Sequence, residues 1–229
     1  FSILAKLGLG ISQIAIIHCI IIFMIIFAFS RYFLPYKGAS NGKAIAIPKG
    51  IVTLFGVLAV ISFLGEGGMM DWSGVFLTEA KGVDLSLAGV GYAVFSAAML
   101  IGRLIGDKVV QKLGEQRVVI FGGIVASVGY IISIVFDNFF MMQFGFILLG
   151  FGAANIVPVV FTLLGRQKEM PINAAVTAVT SMGYLGVMFG PALLGFIAHG
   201  IGIVAVFCIL AGLFILQAIV SSYVFKVLN

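Results

Sequence analysis

Glu66 is the residue of this 229-residue sequence whose type and position most directly suggest chemistry. It lies inside a long apolar stretch and is flanked by Gly65, Gly67 and Gly68. An ionisable group within a membrane-spanning helix is costly, so it usually faces a cavity or a partner. The carboxylate either lines a cavity, where it binds a cation, a proton or a polar substrate, or is satisfied structurally by a neighbouring helix. The glycines are expected to weaken the helix and to admit close neighbours.

A second pair of charges lies near the end of another apolar stretch. Arg103 and Asp107 are four residues apart, so on a continuous helix they share one face. The segment around Asp107 also contains Lys108, Lys112 and Arg117, and an acid has little reason to lie among these cations unless it is paired. We expect an Arg103–Asp107 ion pair that latches two helices in one conformation. Plain anchoring of a basic segment at a membrane surface is the alternative.

The later apolar stretches also contain polar groups. Asn155 precedes Pro158, and a proline frees a backbone carbonyl and bends a helix. Thr180 and Tyr184 belong to a group of hydroxyls that either line a polar face or bond to their own backbone.

Asp71 and Trp72 follow Glu66 by five and six residues. We expect both residues at the outer membrane interface, where tryptophan is enriched, and we favour a structural function for them.

The sequence contains no residue pattern typical of a metal site or of a catalytic nucleophile. His18 and His199 are isolated, and no acid is placed to orient either of them. Cys19 and Cys208 lie in apolar stretches, without metal or disulfide spacing. No glycine-rich phosphate-binding loop is present. We therefore expect no metal site, no cofactor and no enzymatic activity.

Composition indicates a membrane protein. Of all residues, 62% are hydrophobic and 9% are charged, against about 25% charged in soluble domains. The net charge of +5 does not indicate a nucleic-acid partner, because the cations concentrate between apolar stretches and form no aromatic-interleaved patch. A bilayer span needs about 20 apolar residues. Seven stretches meet that length: 8–32, 51–77, 87–106, 118–136, 139–164, 173–198 and 203–225.

The basic residues alternate along the chain. Connections one, three and five carry four, four and two of them, whereas connections two, four and six carry one, none and none. Because cytoplasmic loops are enriched in Lys and Arg, this alternation predicts that the chain starts outside and ends in the cytoplasm. The first stretch carries its charges after it, the reverse of a secretory signal, and we expect the sequence to be a fragment with an upstream part missing.

The basic segment Gly102-Arg-Leu-Ile-Gly-Asp-Lys-Val-Val-Gln-Lys-Leu-Gly114 resembles the cytoplasmic loop between helices eight and nine of the major facilitator superfamily. The segments 66–73, 150–158 and 183–191 resemble helices seven, ten and eleven of a bacterial inner-membrane permease branch without an assigned substrate, often labelled sugar- or drug-transporter-like. The loop departs from the common form, because Gln111-Lys112 stands where Asp-Arg is usual. We expect Asp107 to take the acidic role.

This resemblance implies an all-α fold in which residues 51–229 are the second six-helix half. Residues 1–34 would then be the last helix of a missing N-terminal half, and residues 35–50 the central cytoplasmic loop. It also implies alternating access, often coupled to a proton gradient, and a small-molecule substrate. On this chain it points to Glu66, Asn155, Thr180 and Tyr184 as cavity residues, and to a gating loop made of Gly102, Arg103, Gly106, Asp107, Lys112 and Gly114.

Two other protein classes compete with a transporter. A seven-helix receptor or photosensor has the same sidedness, but the last stretch has no lysine for a retinal linkage. A membrane-embedded enzyme would need converging His, Asp or Ser groups at one depth, which the two isolated histidines do not provide.

Overall fold

A computed structural model describes residues 10–32 and 46–228 of the chain. The chain divides into two compact units, residues 1–42 and 43–229. The predictions that fall on residues 1–9, 33–45 and 229, including much of the expected central loop, lie outside the described residues.

The first unit contains helix α1, Ile11–Phe29, which ends in a 3₁₀ turn, Ser30–Tyr32. Its residues Ala15–Phe29 form an apolar stretch that is shorter than the other candidate membrane spans. The side chains along this stretch are largely exposed within the unit.

Nine helical segments make up the described part of the second unit. Its helices are α2 (Ile51–Val75, extended by the π-helical turn Phe76–Ala80), α3 (Val90–Leu104), α4 (Gly106–Leu113), α5 (Glu115–Val135), α6 (Phe139–Ala153), α7 (Ile156–Leu164), α8 (Ile172–Ile201) and α9 (Ile203–Leu228). A 3₁₀ turn, Leu85–Leu87, precedes α3.

Six stretches of these helices are long and apolar enough to cross a membrane: Ile51–Ala80, Leu85–Leu104, Glu115–Val135, Phe139–Leu164, Ile172–Ile201 and Ile203–Leu228. Together with the shorter apolar helix α1, they confirm the predicted all-α membrane fold of about seven helices. The chain is a multi-pass membrane protein.

Close helix contacts use glycine, as is typical of helices that pack within membranes. Helix α2 packs against α8 and α9, α5 packs against α6 and α9, and α3 packs against α6. A Cβ atom at Gly129 would lie 2.5 Å from the carbonyl oxygen of Gly145, and one at Gly190 would lie 2.7 Å from Leu64. The bundle therefore excludes larger side chains at these crossings.

Polar contacts hold the ends of the helices. Lys81, whose side chain is only 7% exposed, donates to the Ile134 carbonyl oxygen and to Asp137, each at 2.6 Å. At the opposite end of the bundle, Arg166 pairs with Glu115 at 2.8 Å. Glu169 accepts from the Ile51 amide at 3.4 Å, where a carboxylate complements the positive end of α2.

Candidate functional site

Two facing helix surfaces enclose a cavity in the second unit. From α2 come Phe63, Glu66, Gly67 and Met70, which recur at intervals of three and four residues and so share one face. From α3 come Tyr92, Ser96, Met99 and Arg103 at the same kind of spacing, with Phe95 and Leu100 beside them and Val187 of α8 at the edge. The cavity measures about 380 Å³ and opens towards the surface of the unit.

Glu66 and Arg103 form an ion pair in the wall of this cavity. The Glu66 Oε2 atom accepts from Arg103 Nη2 at 3.3 Å. Glu66 lies fifteen residues after Ile51, roughly 22 Å along α2, which is near the middle of the span Ile51–Ala80. Because the two groups touch, the guanidinium of Arg103 lies at the depth of the Glu66 carboxylate, although the backbone of Arg103 belongs to the last turn of α3.

The two members of the pair differ in their other contacts. The Arg103 side chain is 47% exposed, whereas that of Glu66 is 20% exposed. Arg103 Nε also donates to the carbonyl oxygen of Ala154, at 3.4 Å. The other carboxylate oxygen of Glu66, Oε1, is buried without a hydrogen-bond partner among the described residues. Arg103 is thus held independently of Glu66, whereas Arg103 is the one side chain that holds the Glu66 carboxylate among the described residues.

The anchor of Arg103 exists because of Pro158. A proline has no amide hydrogen, so the carbonyl four residues earlier in the helix lacks its usual donor. That carbonyl belongs to Ala154, at the break between α6 and α7, and it accepts from Arg103. The sequence-based expectation that this proline frees a backbone carbonyl is confirmed, and the structure identifies the group that uses it.

Asn155 makes the reciprocal contact across the same pair of helices. Its side-chain amide donates to the Gly102 carbonyl oxygen at 3.0 Å, while Arg103, the next residue, donates to Ala154. Asn155 therefore lies half-buried at the break and does not line the cavity of Glu66. The end of α3 and the α6–α7 break form an interlock defined by Gly102, Arg103, Ala154 and Asn155.

The expected ion pair between Arg103 and Asp107 is not formed in this structure. The helix is interrupted at Ile105, so Arg103 lies in the last turn of α3 and Asp107 in the first turn of α4. The face-sharing argument for a continuous helix therefore does not apply. Asp107 is exposed there, and an acid in the first turn stabilises a helix through the backbone dipole. This gives Asp107 a reason to lie in a basic segment without a partner.

The other residues of the predicted gating loop have structural positions that explain their types. A side chain at Gly102 would meet Ala154, and one at Gly106 would meet Asn155, so both glycines admit the interlock. Gly114 joins α4 to α5 with φ +81° and ψ 151°, a conformation open essentially to glycine. Lys112 is exposed in the last turn of α4, where a cation complements the negative helix end.

Tyr184 and Thr180 lie on α8 and outside the lining of the cavity. Tyr184 is 62% exposed, and its ring stacks on Phe63 with the ring centres 6.0 Å apart. Thr180 is half-buried one helical turn earlier. The structure therefore connects Tyr184 to the cavity only through Phe63.

Asp71 and Trp72 lie farther from the end of their helix than expected. The helix continues for eight residues beyond Trp72, as far as Ala80. The Trp72 ring packs close to Gly195 of α8, and its Nε1 atom is buried without a partner among the described residues. Trp72 thus packs between two helices, while Asp71 is exposed.

Two of the three glycines around Glu66 admit close neighbours, and helix α2 is continuous through Gly65, Gly67 and Gly68. The expected weakening of this segment by the glycines stays a prediction. The close contacts of Gly65 and Gly68 are with α9: a Cβ at Gly68 would lie 2.6 Å from Leu210, and Gly65 faces the Phe214 ring. Gly67 faces open space. Tyr130, fully buried on α5, donates to the Gly65 carbonyl oxygen at 2.9 Å.

Sequence reasoning missed the aromatic and methionine walls of the cavity and the pairing of Glu66 with Arg103. The sequence does contain an indication of the α3 wall, because Tyr92, Ser96, Met99 and Arg103 recur at the spacing that places residues on one face of a helix. It contains no such indication of the pairing, since the pair joins positions 37 residues apart on different helices. Among the residues that the structure describes, no three His, Cys, Asp or Glu side chains come together as metal ligands would.

A family model for the Major Facilitator Superfamily matches residues 55–228, which include all nine helical segments of the second unit except the first turn of α2. The chain belongs to the Major Facilitator Superfamily. The resemblance inferred from the sequence motifs is confirmed, and the superfamily assignment covers the cavity, the interlock and the basic segment between α3 and α5.

Relatives within the superfamily are transporters and membrane proteins of bacteria. An uncharacterized MFS-type transporter of Yersinia pestis is 42% identical over 198 residues, which are 85% of this chain and 52% of that protein. The membrane protein MosC of Rhizobium meliloti is 30% identical over 150 residues, 66% of this chain and 37% of that protein. The chain thus spans about half, or less, of the length of these relatives.

Solved transporter structures share the fold. The POT family transporter PepTSo superimposes with a TM-score of 0.65 over 78% of this chain and 38% of that protein, at 16% sequence identity. At this identity the likeness establishes the helical arrangement alone.

Proposed function

We propose that the chain is the C-terminal part of a secondary active transporter. The whole protein would move a small solute across the bacterial inner membrane by alternating access, driven by a proton gradient. In this proposal Glu66 carries the proton, and Arg103 responds to its charge. The observation that carries the proposal is the Glu66–Arg103 pair in a cavity at mid-span, with Arg103 also held by the proline-freed Ala154 carbonyl.

The unequal anchoring of the pair supports a coupling function. Protonation of Glu66 removes the charge that attracts Arg103, while the guanidinium keeps its own charge. Arg103 then keeps its hydrogen bond to the Ala154 carbonyl within the interlock, while Glu66 of α2 loses its ion pair with Arg103. Binding of one proton thereby breaks the ionic contact of α2 with α3, and α3 stays joined to α6 and α7 through the interlock. Such a two-state connection is what coupling a proton to a conformational change requires.

The length and surface of the chain support a missing partner half. The chain covers 52% of its Yersinia pestis relative. Helix α8 leaves large apolar side chains exposed along one side, among them Tyr184, Met188 and Phe189. In the proposed transporter, residues 1–34 would complete an N-terminal half, residues 35–50 would form the central loop, and that half would cover α8. Tyr184 and Thr180 would then contribute to the completed cavity.

The distribution of cations supports the orientation. With the basic connections in the cytoplasm, the first described helix would begin outside the cell and the chain would end in the cytoplasm. The span α2 would then run outward from Ile51, and the interlock would lie on the cytoplasmic side of Glu66.

The proposal is tested in everted membrane vesicles that contain the chain together with its N-terminal half. A pH-sensitive dye reports whether a panel of small solutes collapses a preset proton gradient. We expect at least one solute to do so with the unchanged protein and to lose that effect in Glu66→Gln. Asp71→Asn, which removes a carboxylate from the same helix outside the cavity, is the matched control and should keep it. A solute that moves protons equally well in Glu66→Gln would exclude Glu66 as the proton carrier.

A further inference from the structure

The walls of the Glu66–Arg103 cavity define what shape of solute it accommodates. Three aromatic rings, those of Phe63, Tyr92 and Phe95, line it together with the flexible side chains of Met70 and Met99. Aromatic rings favour stacking or edge contacts with another apolar ring, and methionine adapts to irregular shapes. The body of a fitting solute is therefore apolar, and best aromatic.

The accessible charged group among the described residues that line this cavity is the guanidinium of Arg103. It is about half exposed, and its Nε and Nη2 atoms are oriented by Ala154 and Glu66. Glu66 offers less to a solute, because its Oε2 is engaged by Arg103 and its Oε1 is buried. A planar guanidinium matches a carboxylate with two parallel hydrogen bonds. The geometry therefore favours a solute with a carboxylate over one with an ammonium group.

Charge balance points to the same class of solute. The ion pair is neutral, and the described titratable or charged residues that line the cavity are Glu66 and Arg103, with the hydroxyl of Tyr92. Behind α2, the Tyr130 hydroxyl is occupied by the Gly65 carbonyl. A bound anion adds one negative charge, which Glu66 removes by taking up a proton. A bound cation adds a positive charge that Arg103 cannot release, because it stays protonated.

We propose that this cavity binds an amphipathic organic monocarboxylate, whose carboxylate replaces Glu66 on Arg103 while Glu66 takes up one proton from solution. The proton comes from hydronium or a buffer acid, whose bond to hydrogen breaks as the O–H bond on Glu66 forms. One ion pair is exchanged for another, and no electrons are transferred. A dianion such as a phosphate monoester would leave one negative charge uncompensated. The inference rests on the proposed transport function and assigns its substrate class and proton stoichiometry.

The experiment compares three ligands of almost the same shape and different charge: benzoate, benzamide and benzamidine. They are titrated by calorimetry into the purified protein, with its N-terminal half, in lipid nanodiscs. Buffers of different ionisation enthalpy report how many protons binding takes up. We expect benzoate to bind at least tenfold more tightly than the other two ligands and to bring about one proton with it. Its affinity should rise up to tenfold per pH unit as the pH falls, while Glu66 is ionised in the free protein.

Variants separate the roles of the two charged residues. Arg103→Ala should lower benzoate affinity at least tenfold, and Arg103→Lys should restore part of it. Glu66→Gln should bind benzoate without proton uptake and without the pH dependence. Asp71→Asn should behave like the unchanged protein. Thermal unfolding of each variant identifies any that fail to fold. Benzoate affinity and proton uptake are then compared between the unchanged protein and the variants that fold.

Three results would overturn the inference: tighter binding of benzamidine, equal binding or no binding of all three ligands, or benzoate binding without proton uptake in the unchanged protein. These results are distinguishable from failure of the proposed function. If dye measurements show proton-coupled movement of another solute through Glu66 while benzoate does not bind, the substrate class is wrong and the transporter proposal stands. If benzoate binds with a proton but no solute moves protons across the membrane, the transport proposal fails.

Discussion

The Glu66–Arg103 pair should contribute measurably to the stability of the helix bundle. At 3.3 Å and an effective dielectric constant of about 20, the Coulomb attraction is about 5 kcal/mol. Desolvation of the carboxylate and the half-exposed position of the guanidinium reduce the net value. We therefore expect a coupling free energy of about 1–2 kcal/mol, above that of a typical surface ion pair.

A double-mutant cycle with Glu66→Gln and Arg103→Met measures this coupling. Arg103→Met also removes the hydrogen bond to the Ala154 carbonyl, but that loss occurs on both sides of the cycle and cancels. The free energy of unfolding is measured in mixed micelles by denaturing-detergent titration. Trp72, the single tryptophan of the sequence, provides the fluorescence signal.

The coupling should decline as the pH falls and Glu66 becomes protonated, because the attraction requires the ionised carboxylate. Asp71→Asn replaces Glu66→Gln in a control cycle and should show coupling close to zero, since Asp71 lies outside the cavity wall. Coupling below about 0.3 kcal/mol at a pH near 8 would refute the structural account of this pair. Equal coupling in the Asp71 cycle would do the same.

Three further predictions concern the rest of the bundle. Gly114→Ala should lower the free energy of unfolding by about 1–3 kcal/mol, because Gly114 has a positive φ that alanine tolerates poorly. Gly212→Ala should leave that free energy unchanged or raise it by up to about 1 kcal/mol, because Gly212 lies in α9 with open space around it. Equal effects of the two substitutions would contradict the backbone argument. Lys81→Met should lower the free energy of unfolding by about 1–3 kcal/mol, because it leaves the Ile134 carbonyl without its donor. Asp137→Asn should lower it by less than about 1 kcal/mol, because the Asp137 side chain is 88% exposed. The reverse order in detergent unfolding would show that the bond from Lys81 to the Ile134 carbonyl is not the more important of the two. Reporter fusions in the connection between α4 and α5 should be cytoplasmic and those in the turn between α5 and α6 external, and the opposite pattern would invert the proposed orientation.

The helices of the second unit could be predicted closely, because hydrophobic length determines a membrane span. Each predicted span there begins and ends within three residues of the helix that contains it. Most differences between the ends of the predicted spans and the ends of the helices have a common cause. An apolar stretch ends where the membrane ends, whereas a helix can continue into the polar residues beyond it. Glu115 and Arg117 form the first turn of α5, and Thr78–Ala80 extends α2, although these residues are outside the apolar stretches.

The breaks in the helices were harder to predict, and they determine the site. Pro158 indicated a disturbed helix, but nothing in the sequence shows which side chain takes the freed Ala154 carbonyl. The break at Ile105 has neither proline nor a positive φ, so the Arg103–Asp107 pairing argument assumed a continuous helix. Periodicity identifies which residues share a face of one helix. It does not identify which faces of two helices meet, and the Glu66–Arg103 pair depends on that meeting.

The most direct test of the central claim compares exchange with accumulation in proteoliposomes that contain the chain and its N-terminal half. Exchange of labelled for unlabelled solute needs alternating access but no net proton movement, whereas accumulation against a concentration gradient needs the proton. If Glu66 couples the two, Glu66→Gln will exchange solute at a rate close to that of the unchanged protein and will fail to accumulate it under a pH gradient. Accumulation by Glu66→Gln to the level of the unchanged protein would contradict the account.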